Sequence, residues 1–264
     1  MYLQNIYTYP IKSLGGIRLD EAVVEERGLQ YDRRWMLVDE KGRFMSQRKH
    51  PEMALLQVEI RNDGLFVFHK QKPDIEILIP FEPGTDKLIP VEIWDDRVEA
   101  QLVDPEVSRW FTDQLGMDCN LVFMPSAIQR KVDPAYAVNE ETVSFADGMP
   151  YLLIGQASLD DLNTRLESPV PMNRFRPNLV IAGAQPYEED DWREVVVGES
   201  VFRLVKPCAR CVITTTDQEK GVSGKEPLKT LASYRTVDNK VLFGQNMVLI
   251  KGEKIRTGES VSFR

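Results

Sequence analysis

Two cysteines separated by two residues, Cys208 and Cys211, are the strongest candidates for chemistry in this 264-residue chain. They lie in the segment KPCARCVITTTD, with Arg210 between them and Lys206 just before them. A neighbouring cation lowers the pKa of a thiol and so favours the thiolate, the form that ligates a soft metal. The pattern therefore favours a metal brought in by a larger anionic cofactor, with the protein supplying a single sulfur.

Three other interpretations compete for the pair. A structural zinc site needs four ligands, but the sequence has no second cysteine pair, and His50, His69 and Cys119 lie far from it along the chain. A thioredoxin-type redox pair is expected in a βαβ setting, whereas the VITTT that follows the pair predicts a strand. The two residues can also be small buried side chains at a strand edge, because unpaired cysteine is among the most buried residue types.

An anionic cofactor needs a basic pocket, and the sequence offers three candidate regions for it. They are YPIKSLGG (9–16), DRRWMLVDE (32–40) followed by SQRKHP (46–51), and NRFRPNLVI (173–181). In the first, Lys12 and Ser13 precede two glycines expected to leave backbone N–H groups accessible to an anion, although the segment taken alone fits a turn with an exposed lysine better. In the third, Arg176 and Asn178 flank Pro177 at the start of a predicted strand, so we expect their side chains on one side, as a guanidinium and an amide clamp.

The elements that must position these residues are mostly strands. Short runs rich in Val, Ile, Leu, Phe and Tyr recur between turn segments such as EKG, NDG and WDD, which predicts a barrel or sandwich rather than βαβ repeats. Helices are predicted at 104–116, with Asp104 as N-cap and Gly116 as its end, at 158–166 and at 225–235. The polar segment 125–142 is predicted to join a β domain at 1–124 to a mixed domain at 125–264.

Composition and charge exclude several classes of function. Hydrophobic residues make up 42% and charged residues 28% of the chain, and no segment is long and apolar enough to predict a membrane span. The net charge of −8, from 33 basic and 41 acidic residues, argues against a nucleic-acid partner. The N-terminal residues carry no secretion or transit signal, and three cysteines do not suggest a disulfide framework, so we expect a cytoplasmic protein.

Seven segments in a fixed order resemble the MOSC-domain proteins that carry an N-terminal MOSC β-barrel domain, among them the mitochondrial amidoxime-reducing component and its bacterial homologues. The segments are YPIKSLGG, DRRWMLVD, NRFRPNLVI, PYEEDDW, CARCVITTTD, KEPLKTLASYR and FGQNMVL. The resemblance covers nearly the whole chain. It implies a mainly β fold with a few helices (α+β), formed by an N-terminal β-barrel-like domain and a MOSC β-barrel domain.

The resemblance also implies a molybdenum cofactor, Mo-molybdopterin, which is a pyranopterin dithiolene with a phosphate. Cys211 matches the cysteine that ligates molybdenum in these proteins, whereas Cys208 does not. Asp147 matches an acidic residue near the metal, so the implied catalytic pair is Cys211 and Asp147. The relatives carry small hydroxylated residues after that aspartate, where this chain has Gly148 and Met149. The residues expected to bind the cofactor are Lys12, Ser13, Arg33, Arg48, Arg176, Asn178 and Arg210.

The function implied is the reduction of small N-hydroxylated compounds, namely amidoximes, hydroxylamines and N-hydroxylated bases. The sequence ends at Arg264 without a plant-type iron–sulfur domain, and no G-x-G-x-x-G segment predicts a flavin or nicotinamide site. We therefore expect an external electron donor, of ferredoxin or flavodoxin type with its reductase. The alternatives are a molybdenum-cofactor or sulfur carrier and a binding protein without catalysis. The length leaves no room for the pyridoxal-phosphate domain of a sulfurase proper.

Overall fold

Strands dominate the computed structural model, which describes all residues, 1–264. In chain order the strands are β1 (Tyr2–Thr8), β2 (Ile17–Leu19), β3 (Glu21–Glu25), β4 (Gly28–Leu29), β5 (Trp35–Asp39), β6 (Leu56–Arg61), β7 (Gly64–His69), β8 (Lys72–Pro80), β9 (Leu88–Ile93), β10 (Asp96–Leu102), β11 (Cys119–Phe123), β12 (Tyr151–Gly155), β13 (Leu179–Ala182), β14 (Glu194–Val197), β15 (Ser200–Arg210), β16 (Thr216–Asp217), β17 (Val222–Ser223), β18 (Thr236–Val237), β19 (Lys240–Lys251), β20 (Lys254–Arg256) and β21 (Val261–Phe263). The α-helices are α1 (Pro105–Leu115), α2 (Gln156–Thr164) and α3 (Leu228–Ala232). The mainly β fold predicted from the sequence is confirmed. None of the helices is both long and apolar enough to pass through a bilayer.

The largest sheet joins the two ends of the chain. Its strands follow the order β2-β1-β13-β12-β19-β15-β14-β21, with β18 added beside β19. Strand β1 pairs with β13, so that Ile6 lies opposite Leu179, and β3 pairs with β20 in a smaller sheet. The first strands are therefore built into the C-terminal half of the fold. The division of the chain at 124/125 stays a prediction.

Two separate cores support the two halves. The first, of 17 buried residues, packs Trp35, Phe111 and Leu121 beneath the four-stranded sheet β5-β11-β10-β9 and the sheet β6-β7-β8. The second, of 16 buried residues, includes Tyr151 and Phe202 and lies against the large sheet. Burial of apolar side chains in two places fixes both sheets, and loops from both halves can then meet between them.

The helix predicted at 104–116 is confirmed, because its end signals are local. The Asp104 carboxylate accepts hydrogen bonds from the backbone N–H groups of Glu106 and Val107, and Gly116 ends the helix with φ of 66°. Its buried face packs on the first core. The helices predicted at 158–166 and 225–235 are present as α2 and α3, with shifted ends. Residues 125–142 contain no helix or strand, as predicted.

The strand predicted for the residues after Cys211 is wrong. Residues Val212–Thr215 form a 3-10 helix, and strand β15 ends at Arg210. The Thr214 hydroxyl donates to the carbonyl of Cys211 at 3.0 Å, and the Thr215 hydroxyl donates to the carbonyl of Val212 at 2.7 Å. These local side-chain bonds compete with strand pairing, and here they outweigh the strand propensity of the β-branched residues. Cys208 therefore lies within a strand, and Cys211 lies at its exit.

Candidate functional site

A cavity with about 700 Å³ of free space, part of it open to solvent, lies where loops from both halves meet. Lys12 follows β1, Arg33 precedes β5, Asp147 precedes β12, and Cys208 lies near the end of β15. Eight of the nine site residues expected from the sequence line this cavity. They are Lys12, Ser13, Arg33, Arg48, Asp147, Arg176, Asn178 and Arg210. The ninth, Cys211, is not part of the wall, which includes Cys208 instead.

The carboxylate of Asp147 accepts hydrogen bonds from three distant parts of the chain. Lys12 Nζ lies 2.6 Å from Oδ1, Arg48 Nη2 lies 2.8 Å from Oδ2, and the indole N–H of Trp94 donates to Oδ1 at 3.2 Å. Enclosure alone would raise the pKa of Asp147, but the charges of Lys12 and Arg48 outweigh it and hold that pKa well below its usual range. Asp147 is therefore an ionised acceptor at neutral pH. With Gly148 and Met149 following it, the carboxylate still has these three donors, and its side chain is 54% exposed.

Lys12 is an unusually placed cation. Its side chain is only 6% exposed, and Nζ donates to the Phe145 carbonyl at 2.7 Å as well as to Asp147. Burial lowers the pKa of Lys12 to about 8, against the opposing pull of Asp147. A lysine in this state is charged at pH 7 and releases its proton a little above it.

Two residues that the sequence analysis missed shape the Asp147 loop. Arg130 donates to the carbonyls of Ser144, Ala146 and Asp147 at 3.0, 2.6 and 2.9 Å and so fixes the backbone that carries the carboxylate. Trp94 holds the carboxylate itself. In the sequence, only the tryptophan in the WDD turn could have pointed to this role. The contacts of Trp94 and Arg130 with the Asp147 loop depend on tertiary folding.

The two cysteines have different surroundings. Cys211 Sγ accepts a hydrogen bond from the charged Arg48 Nε at 3.2 Å. Burial raises the pKa of Cys208, and the nearby charge of Arg210 does not compensate for it. The charge of Arg210 lowers the pKa of Cys208, as expected, but burial outweighs it and the net shift is upward. Two of the three side-chain nitrogens of Arg210 already have acceptors. Its Nε donates to the Phe243 carbonyl at 2.8 Å, and its Nη1 donates to the Phe175 carbonyl at 3.0 Å.

Two guanidinium groups in the cavity wall keep an N–H group without an acceptor. Nη2 of Arg176 and Nη2 of Arg210 are both buried and have no hydrogen-bond partner, although Nη1 of Arg176 donates to the Leu14 carbonyl at 2.8 Å. Burial lowers the pKa of Arg176 to about 10, so the group remains charged at neutral pH. Buried donors are almost always satisfied in folded proteins. These residues therefore fit an anionic group bound in the cavity, such as a phosphate or the anionic parts of a molybdopterin.

The Tyr9 ring contacts two of the arginine side chains that line the cavity. The guanidinium carbons of Arg33 and Arg176 lie 4.3 and 4.2 Å from the centre of the Tyr9 ring, in contact distance for a cation–π interaction. The Tyr9 hydroxyl donates to the Pro177 carbonyl at 3.1 Å, which fixes the ring. Tyr9 therefore contacts both of these positively charged side chains, which line the cavity.

Asn178 supports the site differently from the expected clamp. Its side-chain N–H donates to the Tyr7 carbonyl at 3.2 Å, and its oxygen accepts from the Leu152 backbone N–H at 3.2 Å. Arg176 has a φ of 53°, and β13 begins only at Leu179, so the period-two argument does not apply. Asn178 and Arg176 share the cavity, but most of the amide is used to join strands.

Of the two glycines after Ser13, Gly15 does not supply a free backbone donor, so the expectation is wrong for Gly15, and neither glycine lines the cavity. The N–H of Gly15 donates to the Leu56 carbonyl at 2.9 Å. A Cβ at Gly16 would collide with the Tyr9 ring. These glycines permit close packing behind the cavity. Within the whole chain, no three His, Cys, Asp or Glu side chains form a cluster that could hold a metal ion alone.

Comparisons with known proteins agree with this geometry. Residues 1–118 match the MOSC N-terminal beta barrel domain, and residues 140–262 match the MOSC domain. The chain is 34% identical to mitochondrial amidoxime-reducing component 1 of Mus musculus, over 97% of this chain and 80% of that protein. It is 34% identical to mitochondrial amidoxime reducing component 2 of Rattus norvegicus, over 98% of this chain and 82% of that protein. It is also 34% identical to a molybdenum cofactor sulfurase of Oryza sativa, of which it spans only 34%.

Proposed function

The chain belongs to the MOSC-domain proteins with an N-terminal MOSC β-barrel domain, and from this we propose that it is an oxidoreductase that depends on the molybdenum cofactor. In this proposal it reduces small N-hydroxylated compounds with electrons from an external donor. The observation that carries the proposal is the pair of buried guanidinium N–H groups, on Arg176 and Arg210, that lack an acceptor beside a cysteine pair. The names of the amidoxime-reducing relatives support the choice of substrate class.

The cavity residues divide the work of holding the cofactor. Arg176, Arg210 and Lys12 would bind its anionic parts, since charge-assisted hydrogen bonds are the stronger ones and these donors are already in place. Cys211 would supply the protein sulfur to molybdenum, and the N–H of Arg48 already donates to that sulfur. When bound, the cofactor supplies two-electron redox chemistry at the metal.

Asp147 and Lys12 contribute the proton and hydrogen-bond chemistry. Reduction of an N–OH group to N–H consumes two electrons and two protons and releases water. Lys12, with a pKa of about 8, holds a proton at neutral pH and lies in the cavity wall. Asp147, ionised and about half exposed, can accept a hydrogen bond from the N–H or O–H of the substrate. The two electrons come from a second protein, which we propose to be of ferredoxin or flavodoxin type with its reductase.

One observation favours a second candidate function. The similarity to a molybdenum cofactor sulfurase covers 98% of this chain, and the Cys208 sulfur lies in the cavity wall. A carrier would bind the cofactor, or hold a persulfide on cysteine, without reducing an N–O bond. Both candidates need the anion-binding wall, and they differ in redox turnover.

One experiment separates the two functions. The protein is purified from a molybdenum-sufficient host, and its molybdenum and persulfide contents are measured. Benzamidoxime is then offered with reduced methyl viologen, with a ferredoxin or flavodoxin and its reductase, or with NADPH alone. The reductase proposal predicts bound molybdenum and turnover with the viologen or the protein donor, but none with NADPH alone. Full molybdenum loading without turnover from any donor, or persulfide without molybdenum, would support the carrier.

A further inference from the structure

A groove larger than the cavity adjoins it at Asp147. It has about 1080 Å³ of free space, part of it open to solvent. Arg48 lines both spaces, and Trp94, in the groove wall, donates to Asp147 in the cavity. A molecule in the groove can therefore place one end at the Asp147 carboxylate.

The groove offers aromatic and thioether surface. Phe44, Met45, Trp94 and Met117 form its apolar lining. The rings of Phe44 and Trp94 are in contact, with centroids 4.8 Å apart and planes tilted by 56°. Flat rings of a ligand pack well on such a surface, and methionine sulfur also makes favourable contacts with aromatic rings.

Trp94 adopts the positive φ that its turn favours, but tryptophan is an unusual residue for that position. Ile93 pairs with Asp96, so Trp94 is the first residue of a two-residue hairpin loop, and its φ is 56°. Glycine or asparagine normally occupies such a position, because a bulky side chain is strained there. Trp94 is nevertheless 46% exposed and so gains little from burial. Local rules are most often broken at functional sites, and here the result is an indole beside Asp147 with Arg48 stacked on it at 4.5 Å.

The charges that line the groove balance in number, and four of the six are paired; the six are the cations Arg43, Arg48 and Lys49 and the carboxylates Asp39, Glu92 and Asp118. Arg43 pairs with Asp39 at 2.7 Å, and Arg97 pairs with Glu92 at 2.6 Å. Arg48 is already bound to Asp147. A neutral flat ring therefore suits this surface better than a charged ligand does.

We propose that the groove lined by Trp94 and Phe44 binds the planar aryl or heteroaryl body of the substrate, with the N–O group directed to Asp147. The inference rests on the proposed reductase function and deepens it. It assigns aryl amidoximes and N-hydroxylated bases as the preferred class, over aliphatic compounds with the same reacting group. Trp94 thereby determines specificity through its ring.

The test compares ligands that differ only in the ring. Binding of benzamidine and of acetamidine is measured by calorimetry for the parent protein, Trp94→Ala and Trp94→Phe. The parent should bind benzamidine more tightly than acetamidine. Trp94→Ala should weaken benzamidine binding about tenfold, as expected for the loss of one stacking ring. Trp94→Phe keeps a ring but loses the N–H donor to Asp147, and its affinity for benzamidine should stay within about twofold of the parent.

The same variants are then tested for turnover with a chemical reductant. The ratio of kcat/KM for benzamidoxime to that for acetamidoxime should fall about tenfold in Trp94→Ala and be retained in Trp94→Phe. Because it is a ratio, it cancels any loss common to both substrates.

Unchanged benzamidine affinity in Trp94→Ala, or an equal loss in Trp94→Phe, would overturn the groove assignment. If benzamidine binding depends on the Trp94 ring but neither amidoxime is reduced, the groove assignment stands and the reductase proposal fails. If both amidoximes are reduced but the ratio is unchanged in Trp94→Ala, the reductase proposal stands and the groove assignment fails.

Discussion

Replacement of Arg176 by methionine should stabilise the cofactor-free protein while weakening its hold on the cofactor. Burial lowers the pKa of Arg176 from 12.5 to about 10. Since each pH unit corresponds to about 1.4 kcal/mol, the buried charge costs the fold about 3 kcal/mol. Below pH 10 the folded and unfolded chains both bind this proton, so the cost is fully present at pH 7. It disappears only as pH rises from 10 to 12.5.

The substitution also removes a favourable contact. Nη1 of Arg176 donates to the Leu14 carbonyl at 2.8 Å, and losing a hydrogen bond from a charged group costs about 2 kcal/mol. The net expectation is a gain of about 1 kcal/mol in the free energy of unfolding, or a Tm higher by about 2–4 °C for a chain of this size. Cofactor affinity should instead fall about 10- to 100-fold, because the substitution removes the Nη2 donor. This donor has no acceptor in the free protein and would bind an anionic group of the cofactor.

Arg174 provides a matched control two residues away. Its side chain is partly buried, with 12% exposed; it donates to the Thr215 carbonyl at 2.9 Å and to Asp217 at 3.1 Å, and it has no buried unpartnered atom. Arg174→Met should therefore destabilise the protein by about 1–3 kcal/mol. Thermal unfolding of cofactor-free protein and molybdenum content after desalting measure the two effects. Loss of stability in Arg176→Met equal to that in Arg174→Met, with molybdenum retained, would refute the reasoning.

Two further predictions concern the same cavity. Cys211→Ala should abolish turnover and molybdenum retention, while Cys208→Ala should keep much of both. Metal analysis and activity of the folded variants measure this, and equal losses in the two variants would contradict the assignment of Cys211. Molybdenum retained after dialysis should fall between pH 7 and pH 9, because Lys12, with a pKa of about 8, is charged below that pH and neutral above it. Lys12→Arg stays charged throughout this range and should remove the pH dependence, and a dependence that persists in this variant would assign it to another group.

The sequence predicts best where its signals are local. The start and end of α1 depend on Asp104, Pro105 and Gly116, each acting within one turn of the helix. The residues after Cys211 show the limit of such reasoning. Their β-branched side chains predict a strand, but two threonine hydroxyls bond back to the chain and form a 3-10 helix. Strand propensity is a weak guide where no neighbouring strand is available for pairing.

The composition of the site was predicted from the order of motifs, whereas its geometry was not. Eight of the nine expected residues line one cavity, but Asn178 joins strands and Gly15 has no free N–H. Each difference depends on a contact made across the fold. Trp94 and Arg130 were missed for the same reason, because the loop that they fix is identified only when hairpin and loop are seen together.

The pairing of β1 with β13 explains why distant segments can form one site. Lys12 and Asp147 are 135 residues apart in sequence, and Arg48 and Cys211 are 163 apart, yet both pairs are in hydrogen-bond contact. Strand β1 carries the Lys12 segment into the C-terminal sheet, while β5 and the residues after it bring Arg48 from the N-terminal core. The Asp147 carboxylate then bonds to both. Because the carboxylate joins the two halves at the cavity, binding of the proposed cofactor there would stabilise the same arrangement as the packing of the halves.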